Sequence, residues 1–218
     1  QSFDVYWNSQ LATEPEYDSE PNDEAATFVV PQAGDVALLD RLRAAGESYR
    51  QSHQAHLCQD LRFVTDFPNQ GEKSRNVFNA IVDELRRAKQ EAVVESPYFV
   101  IKSGGFAVLE DLHQRGVRVR VLTNSLASTD ASYAVAALYP RLGSLADTGL
   151  TLSAYGGAPL PSQSTNLRGG TPRWGVHSKR GVIDGDTTLL GTYNVDPRSA
   201  NLNSELMLVC RGQKDLAA

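Results

Sequence analysis

Apolar residues recur along this chain in two alternating rhythms. Val77, Ile81, Leu85 and Ala88 repeat every three or four residues, so an amphipathic helix is predicted over residues 73–89. Residues 106–115 predict a second helix, with Gly116 placed to cap it, and residues 132–142 a third. Between and after them lie short β-rich runs at 61–65, 92–96, 117–123, 150–155, 176–183, 187–190 and 206–209. Asp184-Gly185-Asp186 is a turn sequence, so the runs at 176–183 and 187–190 are predicted to pair as a hairpin. This alternation predicts an α/β fold with a mixed β-sheet flanked by helices.

The first 60 residues follow no such rhythm. Phe3, Tyr6 and Trp7 are spaced as on one face of a short helix. The acidic, proline-containing stretch 14–24 predicts a loop, residues 27–31 a strand, and residues 35–59 a helix with Gly46 as its weak point. A second break, 156–175, is rich in Gly, Pro, Ser and Thr and has no periodicity. A loop of that length is usually functional or disordered.

Composition changes the picture in a few respects. The 218 residues suffice for one large domain. The net charge is -5 and there is no Lys/Arg-rich run, which argues against a broad nucleic-acid footprint. Cys58 and Cys210 have neither metal nor redox spacing and are expected to be ordinary reduced residues. No stretch reaches the roughly 18–20 apolar residues of a membrane span. The chain opens on Gln1 with no signal-peptide pattern, as expected of a processed protein or an excised piece.

The candidate chemistry is concentrated in one segment: His177, Lys179, Asp184, Thr192, Asn194 and Glu205. In a strand, residues two apart share a face, so His177 should project with Lys179, and Thr192 with Asn194. An imidazole can attack phosphorus or pass a proton. Lys179, Thr192 and Asn194 are donors suited to the charge on a transferring phosphoryl group. Glu205 is the candidate carboxylate for orienting the His177 ring. Asp184, at the predicted turn, suits a structural anchor better. The scheme needs no metal and no cofactor. A lone His-x-Lys is more often structural than catalytic, and it is the added residues at fixed spacing that favour catalysis.

His177-x-Lys179-x4-Asp184 with Gly191-Thr192-x-Asn194 resembles the H-x-K-D signature of the phospholipase D superfamily. Residues 191–205, 96–100 and 116–130 resemble bacterial cardiolipin synthase-like members, and residues 3–9 resemble the segment that follows their first motif. Thr192 stands where the family usually has Ser. The resemblance implies one half of the two-lobed phospholipase D fold: residues 1–60 as a lead-in from the junction of the halves, and 61–218 as the α/β domain. It also implies a phosphohistidine mechanism in which the nucleophile comes from the other half and His177 is the general acid/base. The expected partners are a phospholipid, a membrane surface touched peripherally, and either the N-terminal half of the same enzyme or a second copy of the chain. The expected location is the cytoplasmic face of a bacterial inner membrane. A phosphatidyltransferase is the leading expectation. The alternatives are a single-motif homodimeric nuclease and a non-catalytic lipid-binding half-module.

Overall fold

A computed structural model describes Asp40, Arg43, Ala44 and residues 46–48, 58–67, 74–157 and 174–214. Residues 58–218 belong to one compact unit and residues 10–57 to a second. Within the second unit the described residues are helical, and Arg43 lies 3.4 Å from Asp40. The elements expected at residues 3–7, 14–24 and 27–31, and most of 35–59, lie outside the described residues, as does the bulk of 156–175.

The larger unit is built on seven strands: β1 (Asp60–Thr65), β2 (Glu91–Glu95), β3 (Arg118–Asn124), β4 (Thr151–Tyr155), β5 (Arg180–Ile183), β6 (Thr187–Gly191) and β7 (Leu206–Arg211). They form one sheet in the order β1-β7-β6-β5-β2-β3-β4. β2, β3 and β4 run parallel and the remaining pairs are antiparallel, so the sheet is mixed. Helices α1 (Asn76–Arg87), α2 (Ser103–Gln114), α3 (Ser132–Leu138), α4 (Leu142–Asp147) and α5 (Pro197–Asn201) accompany it. The apolar stripe of α1 turns Val77 and Ala80 into the core beside Leu109 and Leu112 of α2, and beside Val119, Val121, Ile183, Leu189, Met207 and Val209 of the sheet.

The alternate residues of the strands face the other way. There Arg118 and Arg120 meet Glu91, and Arg180 meets Glu95. On the same face Phe63 pairs in register with Leu208, which pairs with Leu190, and all three are exposed.

The third helix departs from the sequence reading. It breaks at a 3-10 turn, Tyr139–Arg141, because Pro140 has no N–H for the α-helical ladder, and then resumes as α4. α5 was not anticipated. Pro197 opens it and the Asp196 carboxylate caps it by accepting from Ser199 N.

The cysteines also correct the sequence reading. Cys58 and Cys210 are joined as a disulfide, their Cα atoms 5.7 Å apart. Register explains it: β1 lies antiparallel to β7 with Leu61 opposite Cys210, which leaves Cys58 beside it. A partner 152 residues away is set by tertiary pairing, and spacing along the chain cannot reveal it.

Candidate active site

The site lies where β2 and β3 end, β5 begins, β6 ends and β7 begins. Four short segments meet there. The first, residues 174–179, carries His177 and Lys179 but is not the strand that was expected. β5 starts only at Arg180. The physical reason is its neighbour. At Val176 the partner is a side chain instead of a strand backbone: Asn124 Nδ2 donates to Val176 O at 2.9 Å, and Val176 N donates to Asn124 Oδ1 at 2.8 Å. The amide thus completes the two bonds that an adjacent strand would supply. Asn124 is buried and itself braced by Ser128, whose Oγ donates to Asn124 Oδ1 at 3.1 Å. A Cβ on Gly175 would stand 2.4 Å from Ser128 O, so only glycine permits this approach.

The expected meeting of His177 with Lys179 is present without a strand. Lys179 Nζ lies 3.1 Å from His177 Nδ1 and donates to His177 O at 2.9 Å. His177 is exposed and Lys179 half-buried. Burial pushes the Lys179 ammonium below its ordinary pKa, while the carboxylates of Glu205, Asp130 and Asp196 oppose that shift.

The second segment, Thr192 to Asp196, follows β6. Gly191 makes the entry possible: a Cβ there would lie 2.2 Å from Leu206 O. Thr192 Oγ donates to Glu205 Oε2 at 2.5 Å and accepts from Leu206 N at 3.1 Å. Asn194 Oδ1 is shielded from solvent and accepts no hydrogen bond. The third segment, after β2, holds the second in place. Ser96 Oγ accepts from Val195 N at 3.0 Å and Val195 O accepts from Val100 N at 2.8 Å. Phe99 is core, whereas Tyr98 donates to Asp130 at 2.8 Å, and its phenol is pushed up to about 12 by burial and that bond. The fourth segment leads into β7 and brings Glu205, which is 4% exposed.

Of the six sequence candidates, Lys179, Thr192, Asn194 and Glu205 thus converge on the His177 end of the sheet. Glu205 does so through Thr192. Among the described residues no hydrogen bond joins it to His177. Asp184 lies apart, at the opposite end of β5. With φ +52 it forms the β5–β6 turn with Gly185, and its carboxylate accepts from the backbone N–H groups of Lys89, Gln90 and Glu91 at 2.8–2.9 Å. Burial acts to raise its pKa, but the three N–H bonds outweigh that and the net shift is downward. A carboxylate depressed in the folded state stabilises the fold above its unfolded pKa. That contribution is lost as pH falls below 3.8 and through the folded value. Asp184→Ala is expected to cost about 2–4 kcal/mol in urea unfolding at neutral pH, with the deficit shrinking in acid.

Asn124, Ser96 and Asp130 belong to the site and were not among the six. In the sequence all three fall within the segments 96–100 and 116–130 that carry the family resemblance, and Asn124 also follows the predicted strand at 117–123. Asn124→Ala is expected to lower kcat by about tenfold or more with KM little changed, because it frees the His177 segment without touching substrate. An unchanged kcat would show that the clamp does not position His177.

The sheet thus carries the His177–Lys179 pair at its rim, with the Thr192 hydroxyl and the Asn194 amide on the next turn. The family described as "Cardiolipin synthase, PLD-like domain" matches residues 81–218, and the chain belongs to that phospholipase D-like family. Cardiolipin synthase C of Escherichia coli is 32% identical over 160 residues, covering 70% of this chain and 33% of that protein. Cardiolipin synthase A of Pseudomonas aeruginosa is 29% identical over 153 residues, covering 70% of this chain and 26% of the relative. The chain therefore spans about a third or less of the length of these relatives. Among solved structures, NucT from Helicobacter pylori superposes with a TM-score of 0.53 at 12% identity, over 72% of this chain and 89% of NucT. Phosphatidylserine synthase of Haemophilus influenzae gives 0.52 at 17% identity, over 87% of this chain and 44% of that one. At these identities the likeness is one of fold.

Proposed function

We propose that this domain is one lobe of a phosphatidyltransferase of cardiolipin synthase type, which moves a phosphatidyl group from a phospholipid to an alcohol acceptor. The observation that carries the reading is the His177–Lys179 pair beside the Thr192–Asn194 turn. An imidazole able to transfer a proton and an ammonium thus stand beside the Asn194 amide and a Thr192 hydroxyl held by Glu205, which supports this reading. In the first step a histidine of the partner lobe forms a P–N bond as the P–O bond to the leaving alcohol breaks, and His177 gives that alkoxide its proton. In the second, His177 takes the proton of the acceptor alcohol as its oxygen displaces the phosphohistidine nitrogen. The Lys179 ammonium and the Asn194 side-chain NH2 hold the non-bridging oxygens as charge develops. Glu205 fixes the Thr192 hydroxyl.

The partner lobe is the N-terminal half of the same protein or a second copy. The exposed Phe63–Leu208–Leu190 row offers apolar surface for such an association. Among the described residues no helix is long and apolar enough to cross a membrane, so this domain would meet lipid peripherally. The Cys58–Cys210 disulfide favours the oxidising side of the bacterial inner membrane over the cytoplasmic face expected from the sequence.

The test is head-group exchange on phosphatidylglycerol vesicles, run beside cleavage of single-stranded DNA. The complete, two-lobed protein is expected to exchange lipid and leave DNA intact. The present chain, held as a demonstrated monomer, is expected to show little turnover. DNA cleavage without lipid exchange would replace this reading with a nuclease, and robust transfer by the monomer would refute the half-site.

A further inference from the structure

An apolar cavity of about 330 Å³ runs between α1 and α2 on the helix-covered face of the sheet. Its walls are Ile81, Val82 and Leu85 of α1, Val108 and Leu109 of α2, and Val121 of β3. Close-packed cores leave few voids larger than one water molecule. A dry apolar void of about half this size, engineered in another protein, takes up apolar ligands. At about 30 Å³, the share of one water molecule in the liquid, there is room for on the order of ten groups of that size, and a methylene is of comparable size.

The cavity opens at the end of the sheet that carries the active site. Arg75 and Lys102, which immediately precede α1 and α2, line it there, as do Asp196 and Asn201. Arg75 is tied to Asn201 at 2.7 Å, which places it beside α5. Asp196 is the one carboxylate among the lining residues, and it is engaged in capping α5. α2 has no side-chain cap, whereas the buried Asp66 carboxylate caps α1 by accepting from Val77 N at 3.1 Å, so two cations and the N-terminus of α2 face whatever sits at the opening. Tyr193, the residue before Asn194, forms part of the wall and packs its ring 6.5 Å from Phe78. Apolar depth, a cationic opening and a wall shared with the Asn194 turn fit an anionic amphiphile whose head reaches the catalytic end.

We infer that this cavity holds one acyl chain of the anionic phospholipid substrate. The inference rests on the lipid reading of the active site and adds where the lipid tail goes. Each methylene buried strengthens binding about fourfold, so affinity should climb with chain length and level off near ten carbons, when the cavity is full.

The test uses the complete protein and phosphatidylglycerol bearing a photoactivatable diazirine on one acyl chain, with a diazirine fatty acid as the parallel arm. Peptides spanning residues 76–87 and 103–114 are expected to carry the lipid label. Unlabelled lysophosphatidylglycerols are expected to compete in the order of their chain length up to that plateau. Val108→Phe is expected to cut labelling at least tenfold. If that variant does not fold, the labelled peptides and the chain-length series of the unaltered protein decide the matter. Label scattered over surface peptides, competition independent of chain length, or labelling by the free fatty acid alone would each overturn the acyl site. DNA cleavage in place of lipid exchange would sink the transferase reading, and the labelling pattern would still decide the cavity separately.

Discussion

His177→Ala is expected to lower turnover of the complete protein by about 10²–10⁴-fold, the range for losing a general acid–base group. The loss should fall on kcat, because the groups proposed to bind phosphate remain. Thr192 stays fixed by Glu205 and Leu206, and the Asn194 turn stays fixed by Ser96 and Ser199. His177 is exposed, so the substitution should leave the unfolding midpoint nearly unchanged. That separates lost chemistry from lost structure. Lys179 supplies a second readout. Its ammonium sits below its ordinary pKa and must stay charged to hold phosphate, so activity should fall on the alkaline side as it deprotonates. Lys179→Arg, charged at every working pH, should move that limb upward even if the maximum rate drops. Near-normal turnover of His177→Ala would remove His177 from the mechanism.

The largest effect on stability is expected at Arg211. Its guanidinium bonds both oxygens of Glu84, a carboxylate only 2% exposed on the core side of α1, and reaches Asp60 Oδ2 at 2.8 Å. Those bonds hold the guanidinium above its ordinary pKa. Removing one partner of a buried pair strands the other, so Arg211→Met should cost about 3–5 kcal/mol in denaturant unfolding. Adding Glu84→Gln should recover part of that loss, because the stranded charge is gone. A single-variant cost below about 1 kcal/mol would show that water reaches Glu84. The effect bears on function as well. β1 is held to β7 by this cluster and by the disulfide, and the backbone N–H of Asp66, just past β1, donates to Glu205 O at 2.9 Å. Loosening β1 therefore loosens the strand end that carries Glu205.

Periodicity alone located all seven strands and the first two helices to within a few residues, because each puts apolar side chains on one buried face. It failed where tertiary neighbours decide. Residues 176–179 have β-rich composition, yet an Asn side chain replaces the strand they would need. Pro140 sits inside an apolar helical pattern that carries on past it. The Cys58–Cys210 pair depends on β1 lying at the sheet edge beside β7. In the site, the His-x-Lys and Gly-Thr-x-Asn spacings were legible because local backbone fixes them. The direction of Glu205 toward Thr192, and the roles of Asn124 and Ser96, depend on three loops closing over one another. No spacing encodes that closure.

The Asn124 clamp bears on how this family can vary. A histidine carried on a continuous strand inherits its position from everything upstream. Here residues 156–175 lead directly into the His177 segment, and the amide of Asn124 sets the register afresh at Val176. Changes of chain length before residue 174 therefore end at Gly175 and do not propagate to the imidazole. That stretch can vary while the spacing of His177 and Lys179 stays constant.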